Sequence, residues 1–258
     1  MTEATSGISP TAKSSVIDSQ TLSTPGFRWV GLKKLTWKDP SGTERAWEVA
    51  FRTTRRSECD GVAVIAIVRY PKSGKADEVV LVSQFRPPVG AEVIEAPAGL
   101  VDAGESAQAA AERELLEETG FCGTVTNVSP IVPCDPGMTD ANMRYVTIEI
   151  DGDAPENQSP IAQPDEGEFI MVRMLPVESL LEGLDALAEK GFQVDARLYA
   201  MAVGYSVGQK QQSPETSTCR VKKELLDLAK PAAVVVAVAA VVAAALALTA
   251  ISVAKRQK

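Results

Sequence analysis

Three glutamates stand close together at the end of one predicted helix, with an arginine beside them. Residues four apart on a helix share a face, so Glu114 and Glu118 direct their carboxylates to one place, with Glu117 one step around the helix. The helix dipole disfavours anions at a C-terminus, so this grouping is unfavourable unless a cation binds. Oxygen ligands select a hard cation, Mg²⁺ or Mn²⁺, and Mg²⁺ is often shared between carboxylates and substrate phosphates. The alternative interpretation is a solvated acidic face on which Arg113 pairs locally.

The absence of histidine limits the chemistry further. None of the 258 residues is histidine, which excludes Ser-His and Cys-His nucleophile pairs and every zinc site that contains histidine. Catalysis would therefore depend on carboxylates. The net charge of −8 makes a nucleic-acid partner unexpected, so local arginines or a metal must meet any phosphate.

The acidic helix has clear start and stop signals. Ser106 is a good N-cap, and Gly120 is a natural left-handed C-cap. Apolar runs at 62–68 and 79–85 predict two central strands. Further strands are predicted at 145–150 and 168–174, and amphipathic helices at 177–189 and 195–207. The pattern indicates a mixed α/β domain over residues 59–211, with a long polar loop at 151–167 that is either functional or disordered.

The N-terminal part has a different character. Residues 1–25 are polar and aperiodic, which predicts a disordered tail. Alternating residues within 26–58, with a turn at 39–42, predict a small antiparallel β unit. The four cysteines show no paired spacing and no signal peptide precedes them, so we expect reduced thiols in a cytosolic context.

An apolar segment stands near the C-terminus. After a linker at 212–230, residues 231–254 are almost entirely Ala, Val, Leu and Ile, with basic residues on both sides. A bilayer takes about 20 apolar residues, so this segment predicts a transmembrane helix that tethers a cytosol-facing domain. The membrane would be the mitochondrial outer membrane, the peroxisome or the endoplasmic reticulum. The alternative is a buried helix in a soluble cytoplasmic protein.

The spacing around the acidic helix resembles a known signature. A glycine, five residues, a glutamate and seven residues precede Arg-Glu-aliphatic-x-Glu-Glu-x-Gly-aromatic, and the chain meets each position with Gly99, Glu105, Arg113, Glu114, Leu115, Glu117, Glu118, Gly120 and Phe121. This pattern is similar to the Nudix box of hydrolases that cleave a nucleoside diphosphate linked to another moiety. The resemblance implies a Nudix α/β/α sandwich with a mixed sheet.

Motifs outside the box narrow the resemblance. They are GVAVI at 61–65, QFRPP at 84–88, EAPAGL at 95–100, CDPGMT at 134–139, GEF at 167–169 and VDAR at 194–197. Over about 26–211, the chain resembles the ADP-ribose and ADP-sugar pyrophosphatases of eukaryotic type, and Pro136 is a further mark of their ADP-ribose branch. The tail and the apolar segment lie outside this resemblance.

The resemblance implies roles for the acidic residues. It assigns magnesium to Glu114, Glu118, Glu168 and the backbone carbonyl of Ala98, with Mn²⁺ as a substitute. Glu168 would also orient or deprotonate the attacking water, although by itself it reads as an exposed acid at a strand end. Arg113 would orient a box glutamate, and Glu117 would support these ligands or join them.

Aromatic and charged residues match the substrate side of the family. Trp29 and Trp47 would sandwich the adenine, one from each subunit of a domain-swapped homodimer. The positions that would contact adenine, diphosphate or ribose are Glu48, Arg52, Arg86, Leu100 and Asp135. Indoles hold a flat ring, and arginine donates two hydrogen bonds to phosphate. If the resemblance is set aside, the sequence pattern alone indicates that the two tryptophans pack against the sheet and that Arg86 is a surface charge.

These expectations combine into hydrolysis of ADP-ribose to AMP and ribose 5-phosphate with Mg²⁺. Three alternatives stay open. The first is another substrate of the class, an ADP-sugar or an oxidised guanine nucleoside diphosphate. The second is a membrane-tethered ADP-ribose sensor without turnover, against which the intact carboxylate set argues. The third is a membrane-anchored scaffold.

Overall fold

The computed structural model describes residues 14–212. The start of the predicted tail, nearly all of the 212–230 linker and the predicted 231–254 anchor lie outside the described residues. Among the residues that are described, no helix is long and apolar enough to cross a membrane. The chain divides into two compact units, Met1–Ala200 and Met201–Lys258. The second unit is described only for the part of α3 (Ala196–Gln212) that belongs to it.

A three-stranded antiparallel sheet forms the N-terminal β unit. It contains β1 (Ser15–Leu22), β2 (Val30–Lys38) and β3 (Glu44–Arg52) in that order. The β2–β3 turn is the predicted one, and the Asp39 carboxylate accepts hydrogen bonds from the backbone N–H groups of Ser41 and Thr43. The prediction of disorder over 1–25 is wrong for β1. The side chains of β1 are exposed, and backbone hydrogen bonds to β2 hold the strand in place. Because none of its side chains is buried, its composition is that of a disordered segment.

A nine-stranded mixed sheet forms the body of the first unit. β4 (Gly61–Arg69) lies at its centre, parallel to β10 (Asn142–Asp151) and antiparallel to β5 (Glu78–Arg86). The other strands are β6 (Ala91–Glu95), β7 (Ala98–Leu100), β8 (Thr124–Val128), β9 (Val132–Pro133), β11 (Met171–Pro176) and β12 (Gln193–Val194). The predicted strand 168–174 begins only at Met171, which leaves Glu168 in a loop.

Helix α1 (Ala107–Thr119) carries the acidic cluster. Its two caps are those predicted: the Ser106 hydroxyl accepts from the Ala109 N–H, and Gly120 takes a left-handed conformation with φ 76°. Ala110, Ala111 and Leu115 are buried in the core with the side chains of β4 and β10. Because two of these side chains are single methyl groups, the helix backbone comes close to the sheet.

The remaining elements frame the sheet. A 3-10 turn at Val177–Ser179 leads into α2 (Leu180–Glu189), and α3 follows β12, both close to the predicted ranges. The 151–167 loop is tied down at two points. The buried Asn157 side chain bonds to the backbone N–H and carbonyl of Cys122, and the Gln163 N–H donates to the Glu117 carbonyl at 2.7 Å. The loop therefore lies against the end of α1.

Candidate active site

Arg113 is the centre of the acidic cluster. Its Nε and Nη2 each donate to one carboxylate oxygen of Glu105 at 3.0 Å, while Nη1 donates to Glu114 at 2.9 Å and to Glu117 at 3.0 Å. Nη2 also donates to the Leu100 carbonyl at 3.0 Å. The bonds with Glu105 raise the pKa of Arg113 and lower the pKa of Glu105. One guanidinium thus orders three carboxylates and a backbone carbonyl.

Glu118 lies deeper than its neighbours and has no such partner in its described contacts. It is 3% exposed, and its Oε2 accepts a hydrogen bond from the Ala98 N–H at 3.0 Å. Burial raises the pKa of Glu118 to about 8; the Ala98 N–H opposes the shift, and the charges of Glu114 and Glu168 add to it. The charges of the half-buried Glu114 and the exposed Glu168 therefore act on a buried carboxyl group, and a cation would stabilise its charged form.

Glycine at position 99 makes room for one of these carboxylates. A Cβ on Gly99 would lie 1.9 Å from Oε1 of Glu114. Gly99 is in β7, which pairs with β4 beside α1. The carboxylate therefore lies directly against the strand backbone, which explains why the spacing begins with a glycine.

The donor set suits a hard divalent cation. Carboxylate and carbonyl oxygens are the ligands that Mg²⁺ takes, and the buried Glu118 has no ion pair among its described contacts. Within residues 14–212, however, no group of three or more acidic or cysteine side chains is already arranged as a metal site. Arg113 holds Glu114 and Glu117, so a bound ion would compete with this guanidinium for Glu114.

Two further predicted residues border the cluster. Glu168 is exposed in its loop, where its carboxylate accepts from the Asp165 N–H at 3.3 Å, and its charge raises the pKa of Glu114 and of Glu118. Arg86, at the end of β5, pairs with Glu95 at 2.8 Å, and its charge acts against the raised pKa of Glu118. The charges of both residues thus act on the box carboxylates, although their hydrogen bonds go to Asp165 and Glu95.

Trp47 contacts the loop that carries Asp135 in a second region. The indole Nε1 of Trp47 donates to the Gly137 carbonyl at 3.0 Å, in the loop that begins with Cys134 and Asp135. Asp135 is exposed, and its backbone carbonyl accepts from Met138 at 3.1 Å. Trp47 lines an open cavity of about 680 Å³ between the N-terminal sheet and this loop. This volume is in the range of small-molecule sites.

Trp29 lies at the other end of the same sheet. Its carbonyl accepts from the Thr53 N–H, just after Arg52, whereas Trp47 pairs with Leu35. Six residues of strand separate position 29 from position 35, which amounts to about 20 Å. The chain therefore does not bring its two indoles together.

Strand alternation separates the other β3 residues. Glu48 and Arg52 share one face of β3, and Trp47 lies on the opposite face. Glu48 and Arg52 are both exposed, as is Leu100 next to the Arg113 contact. Glu48 and Arg52 are therefore surface groups of the N-terminal sheet, whereas Leu100 adjoins the acidic cluster through its carbonyl.

Some site contacts were not predicted from the sequence. Glu95, the partner of Arg86, stands in the EAPAGL motif, so the motif was a usable signal. Arg55 bonds Asp60 and Asp140, and nothing in the sequence indicated this group. Arg55 and Asp140 are 85 positions apart, beyond the reach of local patterns.

Comparison with known proteins gives a consistent result. The family described as NUDIX domain matches residues 60–200. The chain is 45% identical over 182 residues to an ADP-ribose pyrophosphatase of Saccharomyces cerevisiae, covering 70% of this chain and 78% of that protein. It is 43% identical over 187 residues to an ADP-sugar pyrophosphatase of Mus musculus, covering 72% and 84%.

A solved structure supports the fold. A crystal structure described as an ADP compounds hydrolase matches with a TM-score of 0.52 and 20% identity, over 78% of this chain and 95% of that one. At this identity the likeness concerns the fold alone.

Proposed function

The chain belongs to the NUDIX domain family, and from this premise we propose that it hydrolyses ADP-ribose to AMP and ribose 5-phosphate with a divalent metal, Mg²⁺. The observation that carries the proposal is the buried Glu118 carboxyl group on the Ala98 backbone, beside Glu114, which Arg113 holds. The names of the yeast and mouse relatives support the substrate class.

The residues we assign to the metal are Glu114, Glu118, Glu168 and the carbonyl of Ala98. A bound Mg²⁺ would neutralise the diphosphate and activate water for attack on phosphorus. Glu168 is our candidate for orienting or deprotonating that water, because it is exposed and its charge acts on Glu114 and on the buried Glu118. Arg113 holds Glu114 in place through its hydrogen bond of 2.9 Å. Glu117, bound to the same guanidinium, supports this arrangement.

The residues we assign to the substrate lie in three places. Arg86, whose charge acts on the Glu118 carboxyl group, is our candidate for binding the diphosphate, since guanidinium pairs well with phosphate oxygens. Leu100 borders the box through its carbonyl. The remaining assignments are Trp29, Trp47, Glu48, Arg52 and Asp135, which would hold the adenine and the riboses.

The first test follows AMP release from ADP-ribose with Mg²⁺ for wild type, Glu118→Gln and Glu112→Gln. Glu112 is the matched control, an exposed glutamate on α1 that bonds only Gln108 among the described contacts. We expect turnover to be lost in Glu118→Gln and kept in Glu112→Gln. Binding of ADP-ribose without turnover by the wild type would contradict the proposal and favour a sensor.

A substrate panel decides the specificity. ADP-sugars and oxidised guanine nucleoside diphosphates are compared with ADP-ribose by kcat/KM. The mouse relative is named for ADP-sugars in general, so ADP-sugars are the nearest competitors. A higher kcat/KM for any of them would replace ADP-ribose as the proposed substrate.

We also propose that the active form is a homodimer. Trp29 and Trp47 stand about 20 Å apart on one sheet, so one adenine can contact both only if they come from different protomers. Trp29→Ala and Trp47→Ala should each raise the KM for ADP-ribose. When the two variants are mixed and exchange subunits, one site of each heterodimer regains both indoles, so at an ADP-ribose concentration far below the variants' KM about a quarter of the wild-type rate should be regained. No recovery would contradict the shared site.

Membrane attachment is the remaining proposal. It is supported by the apolar sequence at 231–254, which only Thr249 and Ser252 interrupt with polar side chains, and by the basic residues around it, Lys222, Lys223, Lys230, Lys255, Arg256 and Lys258. We propose that this segment anchors the enzyme in an organelle membrane, with the catalytic unit facing the cytosol. A fluorescent fusion imaged with and without residues 231–258 tests this proposal, and a diffuse signal from the full chain would contradict it.

A further inference from the structure

Four charged side chains form one connected group between the N-terminal sheet and the nine-stranded sheet. Arg55 donates from Nε and Nη2 to the two carboxylate oxygens of Asp60, at 2.8 and 2.6 Å. The same Nη2 donates to the carbonyl of Asp140 at 2.6 Å and reaches its carboxylate at 3.3 Å. Lys33 of β2 donates to the other oxygen of that carboxylate at 3.1 Å. We name Lys33, Arg55, Asp60 and Asp140 the Arg55 clamp.

The clamp holds one end of the loop that carries Asp135. This loop, residues 134–140, is also joined to β3 at three points: Trp47 Nε1 donates to Gly137, Ala50 N–H donates to Met138, and Asp140 N–H donates to Ala50. The loop and the Trp47 indole therefore form one unit. Arg55 links this unit to Asp60, which directly precedes β4 of the nine-stranded sheet.

The other end of the clamp reaches the backbone of the box. Asp60 directly precedes β4, and its carbonyl accepts from the Val101 N–H at 3.2 Å, one residue after Leu100. The Asp60 carboxylate is buried and also accepts from the Asn142 N–H at 3.0 Å. A buried, fully bonded carboxylate has little freedom to move, so it is a firm anchor for Arg55.

We infer that Arg55 is a positioning residue for substrate recognition, which sets the 134–140 loop and Trp47 relative to the backbone at 98–101. The inference rests on the proposed function, because that function assigns Asp135, Trp47 and Leu100 to the substrate. Lys33, Thr139 and Asp140 line the same cavity as Trp47, so the clamp also shapes the space beside the indole. The described bonds of Arg55 go to Asp60 and Asp140 and to none of the box carboxylates.

This separation from the carboxylates predicts a particular kinetic pattern. A displaced loop weakens binding of substrate and transition state alike, which raises KM and leaves kcat unchanged. The loss of one or two hydrogen bonds corresponds to a rise in KM of about tenfold. A variant that only weakened the fold would instead reduce the amount of active enzyme, and so the apparent kcat.

The experiment uses the full chain with Arg55→Lys, Asp140→Asn and the control Arg69→Gln. Lysine keeps a charge beside the buried Asp60 but cannot form the two-pronged contact. Asp140→Asn leaves the Arg55–Asp60 pair intact, so it tests the loop contact with little risk to folding. Arg69 forms ion pairs with Asp77 and Glu149 at the opposite end of β4. Steady-state hydrolysis of ADP-ribose and hydrogen exchange of the Met138 and Thr139 amides are measured for each.

We expect a raised KM, an unchanged kcat and faster exchange of these amides in both clamp variants, and none of these changes in Arg69→Gln. An unchanged KM in Arg55→Lys and Asp140→Asn would overturn the inference even if the wild type hydrolyses ADP-ribose. If the wild type does not hydrolyse ADP-ribose, the proposed function fails. Hydrogen exchange still tests whether the Arg55 clamp positions the 134–140 loop. Loop amides protected as well as in the wild type in both clamp variants would overturn the inference.

Discussion

Replacing Gly99 with alanine tests whether the carboxylate cluster is the catalytic centre. The added Cβ would lie 1.9 Å from Oε1 of Glu114, 2.0 Å from its carboxyl carbon and 2.3 Å from Oε2. Gly99 is not among the glycines with positive φ, so alanine can adopt its backbone conformation. The substitution therefore acts on the Glu114 carboxylate rather than on the strand.

The size of the displacement follows from these distances. Carbon and oxygen approach to about 3.3 Å, so the nearest Glu114 oxygen must move by about 1.4 Å. Such a shift breaks the 2.9 Å bond with Arg113 and removes the oxygen from its place beside Glu118. A misplacement of about 1 Å at a catalytic site costs up to about a hundredfold in rate. We therefore expect kcat of Gly99→Ala to fall by about two orders of magnitude.

The assay is AMP release under saturating ADP-ribose, with urea unfolding to verify the fold. Gly204→Ala is the matched control, because nothing lies within 4 Å of a Cβ at this helical glycine. Gly99→Ala combined with Glu114→Gln should be no slower than Glu114→Gln alone, since both act through one carboxylate. A kcat close to that of the wild type in folded Gly99→Ala would refute the assignment of Glu114.

Three other predictions concern caps, charge and pH. Alanine at position 120 would have a φ of 76° and a Cβ 2.4 Å from the Ile161 nitrogen. Urea unfolding of Gly120→Ala should therefore show a free energy of unfolding lower by about 2–4 kcal/mol. A decrease below about 1 kcal/mol would contradict the close packing. Arg113→Lys loses the two-pronged contact, so kcat should fall by about tenfold or more, whereas a wild-type kcat would show that charge alone suffices. Burial would raise the pKa of Asp195, but the Arg197 guanidinium outweighs it and holds the pKa below 3.8. The Asp195–Arg197 pair therefore stabilises the fold above about pH 4, and this stabilisation is lost as the pH falls through the lower pKa of the folded state. The free energy of unfolding should therefore fall less steeply at acid pH in Asp195→Asn than in the wild type. An equally steep fall would contradict the pairing.

The parts of the fold that were predicted correctly depend on neighbouring residues. Helix α1 begins after Ser106 and ends before Gly120 as expected, because the cap hydrogen bonds join residues only a few positions apart. Strands β4 and β5 contain the predicted apolar runs, since burial on both faces requires continuous hydrophobic residues.

The parts that were missed depend on distant partners. β1 has no buried side chain, and only its pairing with β2 makes it a strand. β7 has three residues, too few for any periodicity, and pairing with β4 defines it. Exposed edge strands and very short strands have no distinctive hydrophobic pattern. The sequence pattern therefore predicts a disordered tail at β1 and does not predict β7.

The sequence by itself determined the acidic group, because helical geometry places Glu114 and Glu118 on one face whatever surrounds them. Tertiary structure alone decided how deeply each lies. Glu118 is buried against the Ala98 N–H, whereas Glu114 is held by Arg113 beside Gly99. Burial and charge pairing depend on chain segments far apart in sequence, and no local spacing encodes the distance between them.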